Sequence, residues 1–148
     1  MTFRTPAPLF ATLLATSLAA GGALADPGVV YDMGGKFDKS FNEAAFNGME
    51  KYKKDTGKPY QDFEIANESQ REQAMRRMAE KGVSPIIGVG FSQASSIEKV
   101  AKAFPKQQFV IIDSVVRQPN VESVVFREQE GSFLAGIMAA MASSAAAA

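Results

Sequence analysis

From Asp26 onward, short apolar runs alternate with longer amphipathic stretches, and no other feature of the chain narrows its fold as much. Alternation of this kind marks strands joined by covering helices, hence an α/β domain built on a mostly parallel sheet with helices on both faces. Five strands are expected, at 28–31, 60–65, 85–89, 109–112 and 121–126. Four helices are expected with them. The first begins near Ser40 and stops at Gly57, the second follows the polar turn 66–69 and stops at Gly82, the third spans about 92–104 before Pro105, and the fourth runs from 128 to about 142.

Within the helices, apolar residues recur at three- and four-residue spacing and so mark the faces that should pack on the sheet. These are Phe41, Ala45, Met49 and Tyr52 in the first, Ala74, Met75, Met78 and Ala79 in the second, and Ile97, Val100, Ala101 and Phe104 in the third. The third strand is apolar on both faces, as a central strand buried under helices must be. Asp38 or Ser40 is placed to cap the first helix. In the last helix, Gly131, Ala135, Gly136, Ala139 and Ala140 would permit a close helix contact.

Ahead of this domain, residues 1–25 carry Arg4, an apolar run from Leu9 to Ala20, and then Ala23-Leu24-Ala25 before Asp26. That three-part pattern is a secretory signal peptide with cleavage after Ala25. The apolar run falls short of the roughly 20 residues that a bilayer span needs. Its removal takes Arg4 alone, so sixteen basic and sixteen acidic residues become fifteen against sixteen. Such a balance gives no basic face for nucleic acid or anionic lipid. The chain has no cysteine, which leaves no disulfide, no thiolate chemistry and no cysteine for a lipid anchor. The expected product is a monomer, soluble in the periplasm, with a lobe at 26–142 and a Ser/Ala tail at 143–148 that reads as a truncation.

In an open parallel sheet, ligands bind outside the carboxyl ends of the strands. The strand assignments put Asp32, Ser40, Phe41, Asn42, Gly90, Phe91 and Asp113 on that edge. Two carboxylates there can accept hydrogen bonds from sugar hydroxyls, while Phe41 or Phe91 offers a flat apolar face to a ring. The same carboxylates oppose a phosphate or nucleotide, and Gly34-Gly35 alone is a weak phosphate-loop signal. With neither histidine nor cysteine, the chemistry open to a catalyst is narrow. No catalytic residue, metal ligand or cofactor is expected; hydrolysis of a nucleoside by the paired carboxylates stands as the enzymatic alternative.

The segments Tyr31-Asp32-Met33-Gly34-Gly35, Asp38-Lys39-Ser40-Phe41-Asn42 and Phe126-Arg127-Glu128-Gln129-Glu130-Gly131-Ser132-Phe133-Leu134-Ala135-Gly136, in this order, resemble the basic membrane protein family. The match runs from Val29 to about Ala140, and the family it points to includes purine nucleoside receptors. The resemblance implies one lobe of a type I periplasmic binding-protein fold, serving an ABC importer and its inner-membrane permease. It further implies that Asp32 and Asp113 hold polar groups of a nucleoside, Asp113 on the ribose, with Phe41 stacked on the base and Ser40 beside it. A ligand-sensing envelope protein of the same fold is the alternative function. Family members are often lipoproteins, and this chain departs from them in lacking the cysteine.

Overall fold

A computed structural model describes residues 25–146 of the protein; the expected leader lies outside the described residues except for Ala25. Its elements are β1 (Gly28–Tyr31), α1 (Phe41–Thr56), β2 (Gln61–Glu64), α2 (Gln70–Glu80), β3 (Ile86–Val89), α3 (Ala94–Ala103), β4 (Phe109–Ile112), β5 (Val121–Val124) and α4 (Glu128–Ala146). A single 3-10 turn, Phe91–Gln93, leads into α3. The five strands form one sheet in the order β2-β1-β3-β4-β5. Every neighbouring pair is parallel, including β4 and β5, which no helix separates along the chain. The two edge strands are shorter than their apolar runs: Tyr60, Ile65, Val125 and Phe126 fall outside the ladder.

Side chains alternate across each strand, so the two faces of the sheet hold different cores. One core joins Val30, Ile86, Phe109 and Ile111 to the inner residues of α2 and α3, including Met75, Met78, Ile97 and Val100. The other joins Val29, Tyr31 and Val89 to Met49 of α1, with Ala45 and Phe46 beside them. Met75, Ile97 and Val100 are fully buried, in agreement with the spacing that singled them out. Asn120, just before β5, draws its side-chain amide to the carbonyls of Ala101, Phe104 and Gln107 at 3.2, 3.1 and 2.9 Å, which closes the end of α3.

The fourth helix departs from expectation. Its small residues suggested close packing, yet its large side chains Phe133, Leu134, Ile137, Met138 and Met141 are all exposed. Consequently the α1 face of the sheet is less covered over β4 and β5 than over β1. Val110 and Ile112 are half-buried there, and Val124 is exposed.

Candidate functional site

The chain steps from β1 outward to β2 on one side and from β3 outward to β4 on the other. The crevice between the carboxyl ends of β1 and β3 is therefore the switch point where this strand order places a ligand. Asp32 follows β1 directly, Gly90 follows β3 and Asp113 follows β4, so three of the expected site residues end three adjacent strands. Gly90 has φ 93°, and a Cβ added to it would stand 3.1 Å from Asp32 Oδ2. Backbone conformation and the approach of Asp32 both demand glycine at that position.

Asp32 is held on all sides. Its Oδ1 accepts from Met33 N–H at 2.8 Å and from Arg71 at 3.0 Å, and its Oδ2 accepts from the Ser92 hydroxyl at 2.6 Å. Burial pushes the Asp32 carboxyl up, but the hydrogen bonds from Ser92, Met33 and Arg71 outweigh it and hold the group below its ordinary range. The side chain keeps 28% of its exposure, and a carboxylate has more lone pairs than these donors use, so a solute hydroxyl still has an acceptor to meet. Below the rim, Arg71 Nε and Gln93 Oε1 are buried with no hydrogen-bond partner among the described residues. Unsatisfied groups of this kind are uncommon in a settled core. Arg71 and Ser92 were not anticipated, because they reach Asp32 from 39 and 60 residues away in sequence.

The loop between β1 and α1 is built by side chains that bond to backbone. Asn42 is 2% exposed; its Oδ1 accepts from Asp32 N–H at 2.9 Å and its Nδ2 donates to the carbonyls of Asp32 and Gly35, each at 3.1 Å. Asn42 thus positions the rim from beneath, where sequence reasoning had set it among the contact residues. Of the two expected caps, Asp38 acts: its carboxylate accepts from the backbone N–H groups of Ser40, Asn42 and Glu43 at 2.8, 3.3 and 3.1 Å. Ser40 occupies the cap position without a side-chain capping bond, and its hydroxyl is left on the exposed rim.

Aromatic groups complete the edge. Phe41 opens α1, is 43% exposed, and meets Phe126 with ring centroids 6.0 Å apart at 59°. A shallow cavity of about 420 Å³ opens here, lined by Ser40, Phe41, Ala44, Phe126 and Glu128. Phe91, 71% exposed, stands at the end of β3 and begins the turn that carries Ser92. Asp113 beside Glu128 holds the Glu128 carboxyl above its ordinary range, through hydrogen bonding of the neutral form and like charge. The structure therefore links Ser40 and Phe41 to Asp113 through Phe126 and Glu128, and links Asp32 to Gly90. No group of three or more candidate metal-ligating side chains occurs among the described residues.

Asp113 has φ 67°, a left-handed conformation unusual for any residue but glycine. Aspartate tolerates it better than alanine does, so Asp113→Ala should lose about 1 kcal/mol of stability, whereas Asp113→Gly should stay near the parent. Both substitutions should abolish whatever the carboxylate contributes to binding. Urea denaturation of the two variants checks this; equal stability losses would show that the backbone there is unstrained.

Doubly wound folds take small solutes at switch-point rims of this kind. The chain belongs to the PnrA-like family of ABC transporter substrate-binding proteins, whose family model matches residues 25–147. The nucleoside-binding protein BmpA of an ABC transporter in Lactococcus lactis is 36% identical over 121 residues, covering 77% of this chain and 34% of that protein. A CD4+ T-cell-stimulating antigen of Listeria monocytogenes is 33% identical over 119 residues, covering 76% of this chain and 33% of the antigen. The chain thus spans about a third of the length of these relatives. Among solved structures, an ABC transporter solute-binding protein from Aeropyrum pernix superposes with TM-score 0.72 at 32% identity, covering 77% of this chain and 32% of that one. A fragment from Peptoclostridium difficile superposes with TM-score 0.63 at 25% identity, covering 79% of this chain and 98% of the fragment.

Proposed function

We propose that this chain is the first lobe of a periplasmic substrate-binding protein that captures purine nucleosides or related solutes for an ABC importer. The observation that carries the reading is the rim itself: Asp32 and Asp113 end β1 and β4 on either side of β3, with Phe41 and Phe91 exposed along the same edge. Carboxylates in that row accept hydroxyl protons from a sugar, and an exposed phenyl ring stacks on a base. The nucleoside-binding relative points to the same solute class. Export by the leader at 1–25 delivers the chain to the periplasm. Among the described residues, no helix is long and apolar enough to cross a membrane.

Capture in this reading is hinge closure without bond chemistry. Solute docks on the rim, an opposing lobe closes over it, and the permease recognises the closed form. A single rim supplies one wall of such a site. A two-walled site with a Kd of about 1 μM corresponds to about −8 kcal/mol, and half of that free energy leaves a Kd of about 1 mM. Titration calorimetry of the chain from Asp26 onward with adenosine, guanosine and inosine should therefore show binding no tighter than the high micromolar range. Sub-micromolar affinity would overturn the one-wall account, and release of free base would revive the enzymatic alternative.

A further inference from the structure

The Gly34-Gly35-Lys36 turn, a weak phosphate-loop signal in the sequence, holds an anion of the protein's own. Glu64, the last residue of β2, lies beside Tyr31 in the register of the sheet. Its Oε2 accepts from the Lys36 N–H at 3.0 Å, and its Oε1 stands 3.6 Å from Lys36 Nζ. The same ammonium donates to Asp62 Oδ2 at 2.8 Å. Asp62 and Glu64 are two residues apart on one strand and so project to one face, where a single cation offsets their repulsion. A Cβ added to Gly35, which has φ 74°, would stand 2.8 Å from Glu64 Oε2, so glycine alone admits the carboxylate this closely.

The peptide group that joins Gly35 to Lys36 is gripped at both ends. Glu64 takes its N–H, and the buried Asn42 donates from Nδ2 to its carbonyl at 3.1 Å. Asn42 also bonds to the backbone N–H and carbonyl of Asp32, so hydrogen bonds run from the sheet edge through the turn to the residue whose carboxylate stands on the rim. Aromatic contacts brace the turn from α1. Lys36 Nζ lies 5.5 Å from the centre of the Phe46 ring, and Phe37 meets the same ring edge-on with centroids 5.3 Å apart. Phe46 belongs to the helix that Phe41 opens. The turn is therefore held between β2 and α1, with Asp32 at its start and Phe41 just past its end.

We propose that Lys36 and Glu64 are positioning residues for the solute rim, fixing Asp32 and Phe41 relative to each other by anchoring the turn between them to the edge strand. The anchor stands on geometry alone, whereas its part in capture rests on the solute reading. Lys36, Asp62 and Glu64 are all partly exposed, and ion pairs of that kind add little to global stability. Their loss should loosen the rim and leave the fold standing. Lys36→Met, Lys36→Arg and Glu64→Ala forms of the full isotope-labelled chain are compared with the parent by water exchange at the residue-36 amide, by urea denaturation and by titration with millimolar inosine. In Lys36→Met and Glu64→Ala, exchange at that amide should quicken roughly fivefold with the urea midpoint close to the parent's, and inosine should bind more weakly. Lys36→Arg should keep the parent's exchange rate and affinity. Parental exchange or parental inosine affinity in Lys36→Met and Glu64→Ala would overturn the proposal, as would a fall in urea midpoint large enough to account for the whole effect. Quickened exchange that arginine prevents, with no inosine response from the parent itself, would uphold the anchor and count against the solute reading instead.

Discussion

Gly88→Val should remove a large share of this lobe's stability. Gly88 lies in β3, the middle strand of the sheet, on the face that receives α3. A Cβ built there would stand 2.6 Å from Ile97 Cδ1, 3.1 Å from Met75 Cε and 3.2 Å from Gln93 Cβ. Ile97, Met75 and Gln93 are themselves fully buried, so none of them has free space to move into. Overpacking a core by a few atoms typically costs about 1–3 kcal/mol. Adding a branched side chain at this three-way contact should cost about 3 kcal/mol or more, a large share of the 5–15 kcal/mol that stabilises an ordinary domain. Urea denaturation followed by circular dichroism reads the effect. A Gly88→Val variant within about 1 kcal/mol of the parent would show that α3 does not approach β3 as closely as described.

Arg71→Met should produce the second large loss, with a pH signature that identifies its cause. Arg71 is buried, and its guanidinium is one of three donors to the Asp32 carboxylate. Breaking a buried ion pair by removing one partner costs about 3–5 kcal/mol. Because Asp32 remains partly exposed, a loss of about 2 kcal/mol is expected at pH 7. The folded-state carboxyl lies below its ordinary range, so its stabilising contribution is present above the unfolded pKa of about 3.9 and is lost as pH falls through the folded value. The cost of Arg71→Met should therefore be full at pH 7 and shrink below about pH 4. A cost that stays constant down to pH 2 would mean that Arg71 serves packing alone. The conservative Arg71→Lys should recover part of the charge effect but not the fork geometry.

Much of the fold was legible because it rests on local pattern. The apolar runs that became β1, β3 and β4 are short and bounded by turn residues, and the three- and four-residue spacing of Met75, Ile97 and Val100 pointed to buried faces that the structure confirms. Edge strands were overestimated. Tyr60 and Ile65 extend the apolar run of β2, but β1 is its single neighbour and pairs with only four of its residues. The row of strand ends holding Asp32, Gly90 and Asp113 was also readable, since topology alone sets it.

What sequence did not disclose depends on contacts between distant segments. Arg71 sits in α2 among other charged residues, and nothing in its neighbourhood marks it as the partner of Asp32. Asn42 lies beside Phe41 in sequence, but helical rotation turns it inward to bind the loop while Phe41 stays on the rim. The small residues of α4 suggested a close contact, which the described residues do not make. Asp38 and Ser40 were equal candidates for the cap, and the choice follows from the reach of the Asp38 carboxylate to three N–H groups.

The most direct test of the solute-receiving rim is a two-dimensional amide NMR titration of the isotope-labelled chain from Asp26 onward with inosine at millimolar concentration. The rim account predicts saturable shifts confined to the amides around Asp32, Phe41, Gly90 and Asp113, and smaller shifts after Asp113→Ala. Shifts clustered instead around Met49 and Val110, or no saturable shift at any strand end, would contradict it.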